Sequence, residues 1–452
     1  MLLNMIIMSQ TLRGMAMANN EPTAPVSADE VSSLGQRWYV LMMLLLVYTI
    51  SIADRYVFSQ VQEQIKTEMQ LTDFGIGLVG GISLGLFYVT MGIPLSWLAD
   101  RKNRRNLLAI SITVWSAATA LCGMSRNFVE LLLARIGVGI GEAGGTPPCN
   151  SIIADYFPAA RRPMAMTIFA LGAPIGAYLG ADTAGAISQA YGWRSAFLAL
   201  GLPGIVLAII IMLTIKEPAR GRLDAVSSDD TPTLKETLRF LLTQKAALHG
   251  MMGSGLSAFW GWGLMWFTAP FLQRNFDLNE AQAGAITGPI HLWMGIGASL
   301  LTAWLLMKPS FASPKRVVWL LSGVTAAATI PSFIAYYTSS LTLATVMFWI
   351  FIPAVYFYIG PAFAMIQNLA PPKMRAMFVA ISLLFANALN LVIIPPLIGL
   401  MSDSFAGPSG ADGESLRMAL LILAPTGFWA AYHYWAAGKT IIEDQKRAIG
   451  YV

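Results

Sequence analysis

Charge is scarce in this chain. Only 12% of its 452 residues are Asp, Glu, Lys or Arg, while 56% are hydrophobic. An average soluble protein carries about 25% charged residues. A soluble fold of this size needs far more polar surface to cover its exterior. The apolar residues run in long blocks rather than amphipathic stripes, which excludes a large-cored soluble enzyme. Cysteine is limited to Cys122 and Cys149, both within apolar runs. They show neither metal spacing nor a disulfide framework and read as two buried thiols. No paired histidines and no serine–histidine set lie in the runs, so neither a metal site nor an intramembrane hydrolase is expected. The glycine-rich runs lack a following Lys-Ser/Thr and are not phosphate loops. No nucleotide-binding domain follows either, which disfavours a primary pump. No cofactor is expected.

What is present is a series of twelve apolar runs, each long enough to cross a bilayer as a helix of about 20 residues. They lie near 38–62, 74–99, 106–125, 128–155, 163–188 and 195–215, then near 247–272, 281–307, 316–337, 341–367, 376–402 and 416–437. The expected fold is an all-α membrane protein of twelve transmembrane helices in two six-helix bundles, 37–216 and 246–438. A linker over 217–245 joins them, with a tail at 439–452. The first 36 residues are polar after a short apolar start, MLLNMIIM. That start is shorter than a signal-peptide core and has no basic flank before it. A disordered tail is expected, with Met15 and Met17 open as alternative starts.

Lys and Arg placement sets the orientation. Of 29 basic residues, 22 fall on the side of the N-terminus. Lys66, Arg126, Arg194, Arg274 and Arg417 fall on the other side, and Arg55 and Arg135 lie within runs. Both termini are therefore expected in the cytoplasm, with the chain in the inner (plasma) membrane. The net charge of +5 belongs to loops, not to a nucleic-acid surface. In the linker, LKETLRFLLTQK places Leu234, Leu238, Leu241 and Leu242 on one side, a candidate interfacial helix, although an ordinary linker lying on the membrane surface is the favoured reading. An internal echo relates the halves: Asp155, Pro158 and Arg162 have the same spacing as Asn368, Pro371 and Arg375.

The stretch SWLADRKNRR, from Ser96 to Arg105, concentrates charge after the second run. An acid here can bond the N-terminal amides of a neighbouring helix and pair with the arginines. Asp100, Arg101, Arg104 and Arg105, with Asp155 and Arg162, are expected to form a cytoplasmic gate that holds the bundles together and breaks on inward opening. The stretch resembles the G-x-L-A-D-R-x-G-R-R loop of the major facilitator superfamily, with Ser96 and Asn103 in place of the glycines. The matching loop of the second half, LLMKPSFASPKR, lacks the acid.

Ionisable groups within a span are functional candidates by default, because burying them in hydrocarbon costs several kcal/mol. The first half holds a compact set: Asp54 and Arg55 on the first span, Arg135 and Glu142 on the fourth. Arg135 and Glu142 share a helix face about 10 Å apart along the axis. Two acids and two bases neutralise one another, as a static network or as a proton switch. Asp54 is placed first and Glu142 second as the proton site, with Arg55 and Arg135 as partners. Asp182 is assigned near the outer mouth. The second half has only His291 and the more peripheral His433 in its spans.

SIADRYV and RIGVGIGEAGGTPPCNSIIADYFP look like the first- and fourth-helix motifs of the Spinster subfamily of the same superfamily. The matching positions are Asp54, Arg55, Arg135, Gly139, Gly141, Glu142, Ala143 and Asp155. The likeness covers spans one to five; elsewhere it is topological. Ser51, Ile52 and Ala53 stand where many members carry Asn and Tyr, so substrate contacts are expected to differ. The resemblance implies a proton-linked carrier and, for animal members, export of lysolipid or sphingosine phosphate. It also implies that spans one, four, seven and ten line a central cavity. Arg135, Trp260, Tyr356, Tyr358, Asn387 and Asn390 are then the substrate-binding candidates.

The leading expectation is a proton-coupled secondary transporter of an amphiphilic or lipid-like organic anion. It would be monomeric, with protons, a small amphiphilic substrate and membrane lipids as its partners. A small aromatic or carboxylic acid–proton symporter is the alternative. A non-transporting membrane sensor is an alternative of another class.

Overall fold

The computed structural model describes residues 33–158, 161–220 and 232–450. Most of the expected N-terminal tail and part of the linker lie outside these residues. Among the described residues, nine helices are long and apolar enough to cross a membrane: Leu34–Met69, Asp73–Ala99, Arg104–Met124, Arg162–Tyr191, Trp193–Thr214, Glu280–Leu306, Pro314–Tyr337, Leu341–Asn368 and Met377–Ser404. Three further spans are broken. Span four is Phe128–Ala143 followed by Thr146–Tyr156, and span seven runs from Lys245 to Phe276 in pieces. Span twelve is Gly413–Leu423 followed by Thr426–Ile449. Together they make the twelve helices of the expected all-α fold.

The breaks have local causes. Span four turns at Gly144-Gly145, ahead of Pro147 and Pro148. Span seven turns at Phe267, where the backbone leaves the helical region (φ −107°, ψ 5°). Pro270 lacks the N–H that would bond the carbonyl of Trp266. That carbonyl accepts instead from Ser59 Oγ at 2.5 Å and Gln62 Nε2 at 3.3 Å, both on span one. Within a bilayer a freed carbonyl must find such a partner, because no solvent can supply one.

The element ends correct three expectations. Span one starts at Leu34, inside the expected tail, capped by Ser33 Oγ, which accepts from Gln36 N. It runs on to Met69 and stops where Gln70 turns left-handed at φ 51°. The expected C-terminal tail is helical to Ile449. Its Asp444 is buried and accepts from Ala246 N at 2.6 Å, so it caps the start of span seven. In the linker, Leu234–Thr243 is a helix closed by a Thr233–Glu236 capping box. Leu241 is buried within it, while Leu234, Leu238 and Leu242 are exposed.

Two apolar cores form, one mainly from residues 40–215 and one mainly from residues 240–448. The bundles meet along two seams, spans two with eleven and spans five with eight. All four seam helices carry a π-helical turn: Leu78–Ile82, Leu179–Thr183, Ile290–Met294 and Ala388–Ile393. Such turns loosen helix geometry and recur at functional sites. Glycine lets the backbones touch at the seams. A Cβ on Gly284 would stand 2.5 Å from the Ala181 carbonyl oxygen across the five–eight seam.

Gly284→Val should therefore force the seam apart and cost about 1–3 kcal/mol, the range for overpacking. Gly297 meets nothing within 4 Å, so Gly297→Ala should stay within about 0.5 kcal/mol. Thermal unfolding of the two purified variants, followed by fluorescence, checks both.

Candidate functional site

The four intramembrane charges come together inside the first bundle. Glu142 is buried, and its Oε2 accepts from Arg55 Nε at 2.8 Å and lies 2.7 Å from Nη2. Arg55 also stands 4.9 Å from the centre of the Tyr88 ring. Asp54 points the other way along span one, into the bundle. It is fully buried, and its Oδ2 accepts from Thr119 Oγ1 at 3.1 Å. Arg135 is 2% exposed and lies 4.9 Å from the centre of the Phe58 ring. All four are within electrostatic reach of one another. Their hydrogen bonding is incomplete: Asp54 Oδ1, Glu142 Oε1, and Nε and Nη1 of Arg135 have no partner among the described residues. A buried polar atom left so costs about 1–3 kcal/mol, and more when charged.

A cavity of about 880 Å³ lies between the bundles. Arg55, Tyr48 and Tyr56 line its first-bundle wall; Trp262, Trp266, Tyr358, Asn387 and Asn390 are on the other. Asp54 and Glu142 do not line it; Arg55, bonded to Glu142, does. Of the sequence candidates, Tyr358, Asn387 and Asn390 line this wall. Trp260 does not. It is buried in the second bundle, donates to Ser332 Oγ at 3.1 Å and packs on Phe351, because span seven turns its neighbours Trp262 and Trp266 to the cavity instead. Tyr356 lies behind Trp262, with its hydroxyl 3.1 Å from His291 Nδ1. Arg135 lines a second, narrow space, with Ser59, Gln62 and Trp266.

One face of the molecule carries the loop at 101–104 and both chain ends; the other is here termed the distal face. The distal face is clamped. Arg274 reaches Glu63 and Asp73 in two bidentate pairs, all at 2.7 Å. Lys66 adds a 2.6 Å ion pair to Asp73. Asp403 accepts from Asp73 N at 3.0 Å and Phe74 N at 2.8 Å, capping span two from span eleven. Residues 59–74 of the first half supply many of the hydrogen bonds and ion pairs to the second bundle, including those of Ser59, Gln60, Gln62, Glu63, Lys66 and Asp73. The sequence reading missed this clamp. Lys66 and Arg274 were counted only as topological charges; their opposite-sign partners at the ends of spans one, two and eleven were the available signal.

Residues 44–395 match the profile of the Major Facilitator Superfamily. The chain belongs to this superfamily. It is similar to the inward-facing, unoccupied crystal structure of a bacterial homologue of the human lysosomal transporter Spinster. The TM-score is 0.81 and the identity 30%, covering 91% of this chain and 99% of that one. It is 28% identical to an MFS-type efflux pump of Mycolicibacterium smegmatis, over 94% of this chain and 99% of the relative. It is 25% identical to a probable L-galactonate transporter of Escherichia coli, over 94% and 95%. Fold and family make the chain a membrane transporter rather than an enzyme. Among the described residues no cluster of three or more His, Cys, Asp or Glu is placed to hold a metal ion.

With the distal face closed, the arginines expected to form a cytoplasmic gate make contacts within the first bundle and with Glu217 after it. Arg104 is buried and pairs with Asp155, with Glu217 Oε1 at 2.8 Å and with Ser151 Oγ at 2.8 Å. Arg105 N donates to Glu217 Oε2 at 2.8 Å. Arg162 Nε donates to the carbonyls of Ala154 and Phe157, both at 3.0 Å. Arg101 folds back over the Trp97 ring at 4.3 Å. The Asp100 side chain lies outside the described residues. The contacts of Arg104 and Arg105 tie the first bundle to the segment that leaves it after span six. Glu217, which organises both arginines, follows span six and was not singled out in the sequence.

Arg274→Gln should release the distal clamp. Breaking one side of a buried pair costs about 3–5 kcal/mol, and that loss falls only on the distally closed state. Spin labels at Arg126 and Ser339, on distal loops of the two bundles, should report a longer and broader distance distribution. Arg274→Lys should not restore the native one, since lysine cannot make paired bidentate bonds.

Proposed function

We propose that this transporter moves an amphiphilic or lipid-like organic anion by proton-coupled alternating access. The terminal face lies in the cytoplasm, following the Lys and Arg bias, and the protein sits in the inner membrane as a monomer. In that orientation the distal clamp is the closed outer gate.

One observation carries the reading: Arg55 lines the cavity while its guanidinium is bonded to Glu142 behind it. An anionic group entering the cavity competes with Glu142 for the same cation. Protonation of Glu142 breaks the pair and leaves Arg55 free for substrate; deprotonation recovers it and expels the anion. Substrate and proton are thereby linked through one side chain. Asp54, one residue along and facing Thr119, is the second carboxylate of the set and takes or returns the proton within the bundle. The geometry favours Glu142 over Asp54 as the direct competitor, reversing the order expected from sequence. The aromatic wall of Trp262, Trp266 and Tyr358 suits an apolar body attached to the anion.

A smaller organic acid is the second reading, favoured by the likeness to the probable L-galactonate transporter. Asn387 and Asn390 on the cavity wall would serve its hydroxyls.

The test is flux in proteoliposomes under imposed pH gradients, with a panel running from sugar acids to lysophospholipids. Glu142→Gln should abolish the pH dependence, and Asp54→Asn should reduce it. Retained pH dependence in both variants would remove proton coupling. Flux of sugar acids alone would select the second reading.

A further inference from the structure

The two internal spaces share only two lining residues, Arg55 and Trp266. Trp266 is placed as a movable wall. Its backbone sits at the break of span seven, between Gly263–Trp266 and Thr268–Phe276. Its carbonyl is pinned to span one by Ser59 and Gln62. The indole is held by one hydrogen bond, Nε1 to Asn390 Oδ1 at 3.1 Å on span eleven, and by ring contact with Tyr56 at 5.0 Å. Trp266 lines both the main cavity and the smaller space.

The smaller space carries its own cation. Arg135 lines it, is 2% exposed, and has Nε and Nη1 without partners among the described residues. Glu142 is taken by Arg55, and Asp54 by Thr119. Amide and hydroxyl groups from Gln62 and Ser59 lie on the same wall, between the cavity and the distal clamp.

We propose that this space is an inner anion pocket with Arg135 as its cation, and that Trp266 is the door between it and the main cavity, closed by Asn390. The ligand chemistry is a single compact anionic group, a carboxylate or a phosphate, whose apolar body stays in the main cavity. The proposal rests on the organic-anion reading above. It adds that the anion passes from Arg55 to Arg135 once the indole swings. Trp266 thus sets which head groups enter, and Arg55 and Arg135 are successive stations.

Thiol accessibility tests it without measuring flux. Cys122 and Cys149 are buried and remain in place. Gln62→Cys reports the inner pocket and Asn387→Cys the main cavity. The reagents are an anionic sulfonatoethyl and a cationic trimethylammonioethyl methanethiosulfonate. With Trp266 intact, Gln62→Cys should react about tenfold more slowly than with Trp266→Ala, the factor for losing one hydrogen bond and a ring contact. Asn387→Cys should react equally in both. Asn390→Ala, which frees the indole without opening a hole, should also speed Gln62→Cys. The anionic-to-cationic rate ratio at Gln62→Cys should fall about tenfold or more in Arg135→Gln, given the strength of one close charge. Protection by acetate or by inorganic phosphate identifies the head group. Equal Gln62→Cys rates with Trp266 intact, with Trp266→Ala and with Asn390→Ala would overturn the door. A rate ratio unmoved by Arg135→Gln would overturn the pocket. Either result leaves the pH-gradient experiment independent, and a loss of proton coupling there leaves these rates unchanged.

Discussion

The Arg55–Glu142 pair is the interaction on which the rest of the first bundle depends. Neither group is tolerable alone at this depth, since an unpaired buried charge costs several kcal/mol. Yet the pair is incomplete. Among the described residues Glu142 keeps one oxygen unpartnered, and Arg55 lines the cavity. A fully satisfied network would be rigid; this one can exchange a partner. The small residues around it follow from that need. Gly141 brings span four so close to span three that a Cβ would collide with Trp115, and Gly139 does the same against Leu84 of span two. Close backbones position the carboxylate without leaving room for water to screen it.

The opposite requirement holds between the bundles, where contacts must break. The seams are built from glycine contacts and π-helical turns rather than interlocking large side chains. The densest polar ties between the bundles gather at the distal end. There Arg274, Asp73, Glu63, Lys66 and Asp403 concentrate charge that water can reach once the face opens. The cost of separating them is lower than it would be at mid-membrane, because the freed groups are resolvated. A gate of this kind is strong when shut and recoverable when open. Where span seven breaks at Phe267, the same economy appears on a smaller scale: the carbonyl released by Pro270 becomes a tie to span one.

Much of the fold was legible in the chain because the bilayer leaves few choices. Runs of about 20 apolar residues must be helices. The charged set of Asp54, Arg55, Arg135 and Glu142 was legible for the same reason: charge is so rare in these spans that each instance stands out. Helix ends were read less well. Asp444 and Ile449 lie in a polar segment that composition marks as a tail, whereas the structure uses it as a cap. Trp260, Trp262 and Trp266 were indistinguishable by type; the π turn at Ala258–Trp262 and the break at Phe267 decided which rings reach the cavity.

The sequence by itself determined the number of crossings, the two-bundle plan and the residues too costly to bury without purpose. These follow from local composition and the hydrogen-bonding demands of a helix in lipid. Only the tertiary structure decided pairing: that Glu142 rather than Asp54 holds Arg55, that Arg135 is left facing a second space, and that Arg274 clamps the distal face. Those outcomes depend on distances between helices far apart in the chain. A difference of a few ångströms there separates a bonded charge from a free one, and no periodicity along the sequence records it.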